Sequence, residues 1–176
     1  MIANPAKLYM LRHEQRGESS AFDSRLTAEG LLNAQTKILE LLADKEIQSI
    51  YCSPFPRTLE TIRPWCEENN LRVNVEWSLA ESIPPNADVP CEFRDIMNLN
   101  YNSFLNPYTA PEVNDFNDLK RQVSRFLEVT DRTKHLLFVT HMPVMNAILS
   151  LYGNYHVSMY TPHSSGTLLT LDRSIF

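Results

Sequence analysis

Residues 7–16 read Lys-Leu-Tyr-Met-Leu-Arg-His-Glu-Gln-Arg. The first six form a short apolar run with the character of a buried strand, and the run ends abruptly in Arg12-His13. Two later stretches repeat the pattern. Residues 47–52 are a second strand-like run, followed by the turn Ser53-Pro54-Phe55-Pro56 and then Arg57. Residues 136–140, Leu-Leu-Phe-Val-Thr, are followed at once by His141. Runs at 71–75 and 167–171 complete the strand candidates.

The segments between these runs have helical spacing. Over 26–42, Leu31, Leu32, Ala34, Gln35, Ile38, Leu39 and Leu42 fall on one face, with Thr27 and Glu29 suited to the start. Pro56 suits the first turn of a helix running to about residue 70. Pro64 inside that helix predicts a kink. Further helices are expected over 113–129 and 143–152. Residues 77–112 hold five prolines and read as a long irregular connection. Strands alternating with helices predict an α/β fold of three layers, a mainly parallel central sheet flanked by helices. With 176 residues, residues 1–176 are expected to form one domain around one sizeable core.

Composition removes several function classes. The formal net charge of −5, with no basic run, gives no footprint for nucleic acid. The longest apolar stretch, 136–152, is interrupted by His141, Pro143 and Asn146 and is too short to span a membrane. The start of the chain lacks the apolar segment of a secretion signal. Cys52, Cys66 and Cys91 form no metal-type spacing, and a sparse, odd count fits core thiols in a reducing, cytoplasmic setting. No metal or other cofactor is expected.

Ligands of parallel α/β sheets sit at the carboxyl ends of the strands. Here three such ends deliver Arg12, His13, Arg57 and His141, with Arg16 close behind. Guanidinium forks match the oxygens of a phosphoryl group. A neutral imidazole can attack phosphorus to give a phosphohistidine that water later hydrolyses. A second imidazole and a helix N-terminus can stabilise the developing charge, so the arginines can stand in for a metal.

These motifs make the chain recognisable. It resembles the histidine phosphatase superfamily, with the phosphoglycerate mutase-like fold, over most of its length. The resemblance is carried by L-R-H-E-Q-R at 11–16, D-S-R-L-T-A-E-G at 23–30 with Gln35 following, Y-C-S-P-F-P-R-T-L-E-T at 51–61, V-T-H at 139–141, and a closing strand within 164–172. It implies His13 as nucleophile, Arg12 and Arg57 as phosphate clamps, and His141 as second catalytic histidine. The spacing R-H-x-x-R is similar to the acid-phosphatase form of the motif and nominates Arg16 as a further clamp. H-M-P-V at 141–144 is similar to the small phosphohistidine phosphatases. Members often carry an acid just after the third strand, which nominates Glu81, with Asp88, Glu92 and Asp95 as rivals. The substrate implied is a phosphorylated small molecule or phosphoprotein, acted on by a phosphoric monoester hydrolase.

Glu14 departs from the pattern, because glycine usually follows the nucleophile. A carboxylate beside an anion site is repulsive unless it turns away. That residue keeps open a catalytically impaired, phosphate-binding scaffold. A phosphoglycerate mutase is the other alternative, though a chain this short leaves little room for the loops it needs. Ser53 is expected to shape its turn, and His135, His156 and His163 to lie on the surface. His163 is also close enough to the last strand to reach the pocket. All three cysteines are expected in the core. Trp77, Phe93, Tyr101, Phe104 and Tyr108 are read as packing for the long connection rather than as a specificity wall.

Overall fold

A computed structural model describes residues 5–83, 88–101, 104–108, 110, 112–153 and 155–175. Six strands form one sheet: β1 (Lys7–Arg12), β2 (Ser49–Cys52), β3 (Val73–Val75), β4 (Leu99–Asn100), β5 (Leu136–Thr140) and β6 (Leu168–Asp172). Their order is β4-β3-β2-β5-β1-β6, parallel throughout except for β6, which runs antiparallel to β1. Strands buried on both faces read as continuous apolar runs, and β5, buried at every position, is such a strand.

Alternation along the strands builds two cores. Tyr9, Leu11, Leu137 and Val139 face a layer made by α2 (Lys37–Leu42), α3 (Pro56–Glu68) and α4 (Cys91–Ile96). Leu8, Met10, Leu136 and Phe138 face the opposite layer, α5 (Phe116–Val129) and α6 (Met142–Tyr152). Burying each such side chain stabilises the fold by roughly 1.5–3 kcal/mol before entropy is counted. The three-layer α/β architecture expected from the strand–helix alternation is therefore present.

Several boundaries differ from the sequence reading. The helix expected over 26–42 is two helices, α1 (Ala28–Gln35) and α2, broken at Thr36 with φ −126° and ψ −75°. Thr36 Oγ1 donates to the Leu32 carbonyl at 2.8 Å, the local side-chain bond by which threonine competes with a helix. Thr27 caps α1 by accepting from Gly30 N. Gly30 is required there, because a Cβ would sit 2.2 Å from the Gln15 carbonyl oxygen. Pro64 lies inside α3 without ending it.

The segment 77–112 is more regular than expected. It holds a 3-10 turn (Trp77–Leu79), α4 and β4, elements too short to leave a periodic pattern. Helix α5 starts at Phe116 rather than at 113, because Asp115 accepts from the N–H groups of Asn117 and Asp118 and so sets its N-terminus. Cys52 and Cys66 are buried as expected, but Cys91 is exposed on the first turn of α4. Among the described residues, no helix is long and apolar enough to cross a membrane.

Candidate active site

Strand register brings the chemistry together. Arg12 pairs with Thr140 and Cys52 with Val139, so β1, β2 and β5 end at one level. The chain leaves each strand through a further sheet-like bond, His13 N to the Thr140 carbonyl and Ser53 N to the Val139 carbonyl, both 3.0 Å. Helices α3 and α6 begin at this same edge, and their N-termini favour an anion.

His13 is 3% exposed. Its Nδ1 lies 2.7 Å from the Glu14 carbonyl oxygen. A carbonyl oxygen only accepts, so Nδ1 carries the hydrogen and Nε2 keeps its lone pair. Burial, helped by the charges of Arg57, Arg12 and Arg16, pushes the imidazole down to about 3, against the opposing pull of the Glu14 carbonyl. His13 is thus a neutral imidazole at physiological pH, the form that can act as a nucleophile.

His141 is fully buried, 5.3 Å from His13 between ring centroids. Its Nε2 shares a 2.8 Å hydrogen bond with Ser53 Oγ, and its Nδ1 stands 3.7 Å from Glu81 Oε1. Burial first, then His13 and the three arginines, hold its pKa well below the ordinary value.

Arg57 occupies the first turn of α3 with no exposed surface. A buried cation at a helix N-terminus is unfavourable alone. Its Nη2 donates to Glu81 Oε1 at 2.6 Å, its Nη1 to the Ala21 carbonyl at 3.1 Å, and it stacks 4.3 Å from the Phe55 ring. Arg12 donates through Nη1 to the His163 carbonyl. Arg16 turns back on its own loop, donating to the carbonyls of Gly17, Glu18 and Ser19, though its charge still bears on both histidines.

Three buried nitrogens in this cluster, Arg12 Nε, Arg57 Nε and His141 Nδ1, have no hydrogen-bond partner among the described residues. Such a group costs about 1–3 kcal/mol when it stays unpaired. Two of the three belong to guanidinium groups and the third to an imidazole, a donor set that matches an oxyanion. Among the described residues, no group of three or more His, Cys, Asp or Glu is arranged to hold a metal ion.

Glu81 joins the cluster as its sequence position suggests, a quarter exposed and between Arg57 and His141. Its rivals lie elsewhere: Asp88 pairs with Arg94, Glu92 with Arg25, and Asp95 is exposed. Glu14 is buried, with its carboxylate spent on structure. Oε2 accepts from Gln15 N and Asn33 Nδ2, both 3.2 Å, and its backbone N–H donates to Thr61 Oγ1. Gly166 (φ +69°) closes over it, where a Cβ would fall 2.0 Å from Oε1.

Some participants were not visible in the sequence. Ser53 does more than shape a turn, since it holds His141. Phe22, on the 17–25 loop, packs on Phe55 at 4.6 Å and stacks on Trp77, and Phe55 in turn meets the His141 ring at 4.6 Å. His163, expected on the surface, is half-buried and beside Arg12. His135 is also half-buried, accepting from Lys7 N, whereas His156 is exposed. Trp77 and Phe93 are core residues as expected, while Tyr101, Phe104 and Tyr108 are exposed. A separate cleft of about 670 Å³ between α1, α3 and α4 is bordered by none of the site residues named above.

Residues 8–172 match the family model of the histidine phosphatase superfamily (branch 1). No curated protein matches the chain. Solved structures share the fold at low identity. The ecdysone phosphate phosphatase from Bombix mori, in complex with tungstate, superposes with a TM-score of 0.66 at 15% identity, over 94% of this chain and 88% of that one. The alpha-ribazole phosphatase from Shigella flexneri gives 0.66 at 21% identity, over 94% and 90%. A mycobacterial glucosyl-3-phosphoglycerate phosphatase gives 0.65 at 14%, over 95% and 90%.

Proposed function

The chain belongs to the histidine phosphatase superfamily, branch 1, and on that premise we propose that it is a metal-independent phosphatase hydrolysing a phosphomonoester through a phosphohistidine on His13. The observation that carries the reading is the 2.7 Å bond from His13 Nδ1 to the Glu14 carbonyl, which places a hydrogen on Nδ1 and leaves Nε2 as the atom free to attack.

Nε2 attacks phosphorus, the bond to the ester oxygen breaks, and that oxygen leaves with the electron pair. The imidazole becomes positively charged, and the Glu14 carbonyl stabilises its Nδ1–H. Arg12 and Arg57 bind the equatorial oxygens, which supplies the charge a metal would otherwise bring. Ser53 Oγ–H donating to His141 Nε2 leaves Nδ1–H of His141 as a further donor to phosphate. Glu81 gives the leaving oxygen its proton. A bound dianion takes over part of Arg57, which loosens that residue's 2.6 Å ion pair with Glu81. Water then attacks the phosphohistidine, Glu81 accepts its proton, the P–N bond breaks, and His13 returns to the neutral form. Glu14, the residue that favours an impaired scaffold in the sequence, is engaged by Asn33 and Gln15 and leaves the anion site to the arginines. The substrate class supported is a phosphorylated small molecule or phosphoprotein.

The test is p-nitrophenyl phosphate hydrolysis in EDTA, with alkaline quenching of the labelled enzyme. Turnover with an acid-labile, base-stable phosphoryl group lost in His13→Ala is expected. Activity abolished by EDTA and restored by magnesium or zinc would overturn the reading.

A further inference from the structure

The loop of residues 155–167 reaches the site from α6, and one amide anchors it. Asn146, fully buried on α6, donates through Nδ2 to the carbonyls of Met159 (3.1 Å) and Thr161 (2.8 Å). Carbonyl oxygens only accept, so the atom facing them is the NH2 group and the orientation of the amide is fixed. Oδ1 therefore faces the other way, 2.8 Å from His163 Nε2. An amide oxygen has no proton to give, so Nε2 carries the hydrogen. In a neutral ring, Nδ1 is then a bare acceptor.

The backbone of His163 stands at the phosphate clamp, and the Arg12 charge bears on its ring. The His163 carbonyl accepts from Arg12 Nη1, and the Thr167 carbonyl from Arg12 N at 2.9 Å. His163 is only half-buried, so part of the residue meets solvent. Burial and the Arg12 charge both lower its proton affinity, which keeps it neutral.

We propose that His163, fixed by Asn146 as the Nε2–H tautomer, determines leaving-group specificity: its Nδ1 accepts a hydrogen bond from a hydroxyl on the leaving group of a phosphomonoester held by Arg12. Polyol, sugar or nucleoside phosphates are thereby selected over plain alkyl phosphates. The proposal rests on the phosphatase reading above. It assigns a role to a histidine that neither attacks phosphorus nor transfers the ester proton.

The experiment compares kcat/KM for glycerol 3-phosphate and propyl phosphate, which differ only in hydroxyl groups, on the full chain. Wild type should favour the polyol ester by roughly 3–10-fold, the effect of one neutral hydrogen bond. His163→Leu should lose that preference, mainly through KM. His163→Asn places an oxygen where Nδ1 was and should restore it. His163→Gln keeps only the position of Nε2 and should not. A preference that survives in the leucine variant, or returns with Gln rather than Asn, overturns the proposal. Independently of turnover, ¹⁵N spectra of the wild-type ring should show a protonated Nε2 and a bare Nδ1 at neutral pH. The opposite tautomer or a doubly protonated ring overturns it as well. Absence of wild-type p-nitrophenyl phosphate hydrolysis sinks both readings. Its presence without any polyol preference sinks this one alone.

Discussion

Acidification should unfold this protein partly through His13, the nucleophile proposed above. Burial leaves His13 with a pKa of about 3 in the folded chain, against 6.5 for an ordinary imidazole. Between these values the unfolded chain binds a proton at this position and the folded chain does not. Stability therefore rises with pH across the window, is complete above the unfolded value, and is lost on acidification. With the side chain 3% exposed, solvent screening takes little from this contribution. Each pH unit within the window is worth about 1.4 kcal/mol, so lowering the pH by about two units from 6.5 costs about 3 kcal/mol at this residue. The perturbation that isolates it is His13→Gln. Urea unfolding, followed by fluorescence of the buried Trp65 and Trp77, is run on both proteins from about pH 7 to about pH 4.5. The glutamine variant loses the bond to the Glu14 carbonyl, which offsets its stability equally at every pH. The difference between the two proteins should nevertheless move by about 3 kcal/mol in favour of the variant as pH falls. A difference that stays flat across the range would refute the buried, neutral imidazole, and with it the nucleophile assignment.

Glu81→Gln should slow esters with poor leaving groups by roughly 10²–10⁴-fold and barely affect aryl phosphates; equal loss on both, measured by kcat/KM, reassigns Glu81 to positioning. Ser53→Ala removes the partner of His141 Nε2, so kcat should fall about tenfold and stability by about 1–3 kcal/mol, read by turnover and chemical denaturation. Unchanged values for both would show that Ser53 only shapes its turn. Gly30→Ala gains helix propensity of about 1 kcal/mol but drives a Cβ into the Gln15 carbonyl oxygen. The clash should win, with net destabilisation of roughly 1–3 kcal/mol and reduced turnover from a displaced 13–16 loop; a higher Tm for the variant would contradict the close approach.

The sheet was legible because its central strands are continuous apolar runs that end in charge. Residues 8–11 and 136–140 carry that signal without ambiguity, and the residues just past them, His13 and His141, inherit their position from it. Arg57 was readable for the same reason, whereas Glu81 was nominated by the family resemblance, with Asp88, Glu92 and Asp95 as rivals. What was hidden has no period. A two-residue strand such as β4 and a six-residue helix such as α4 show no repeat, so 77–112 looked irregular. The break at Thr36 depends on one side-chain bond to Leu32 within an otherwise good helical pattern. Ser53, Asn146 and Phe22 matter through partners far along the chain, and no local spacing announces them, whereas the closeness of His163 to the last strand left its reach to the pocket open in the sequence. Cys91 was placed in the core by residue type alone, whereas its position on an outward helical turn decided the outcome.

The strand order has a consequence for biosynthesis. β5 lies between β1 and β2, so Leu8 finds its partner at Leu136 only after more than a hundred intervening residues have been made. A chain emerging from the ribosome carries Arg12, His13 and Arg57 early, on strands that cannot reach each other without β5. Long-range parallel pairing of this kind is slow, and unpaired strand edges invite association with other chains meanwhile. The nascent protein thus keeps His13 and Arg57 apart until β5 is available. The cluster at the strand ends is completed only when residues 136–141 leave the exit tunnel, so it forms in one step rather than accumulating strand by strand.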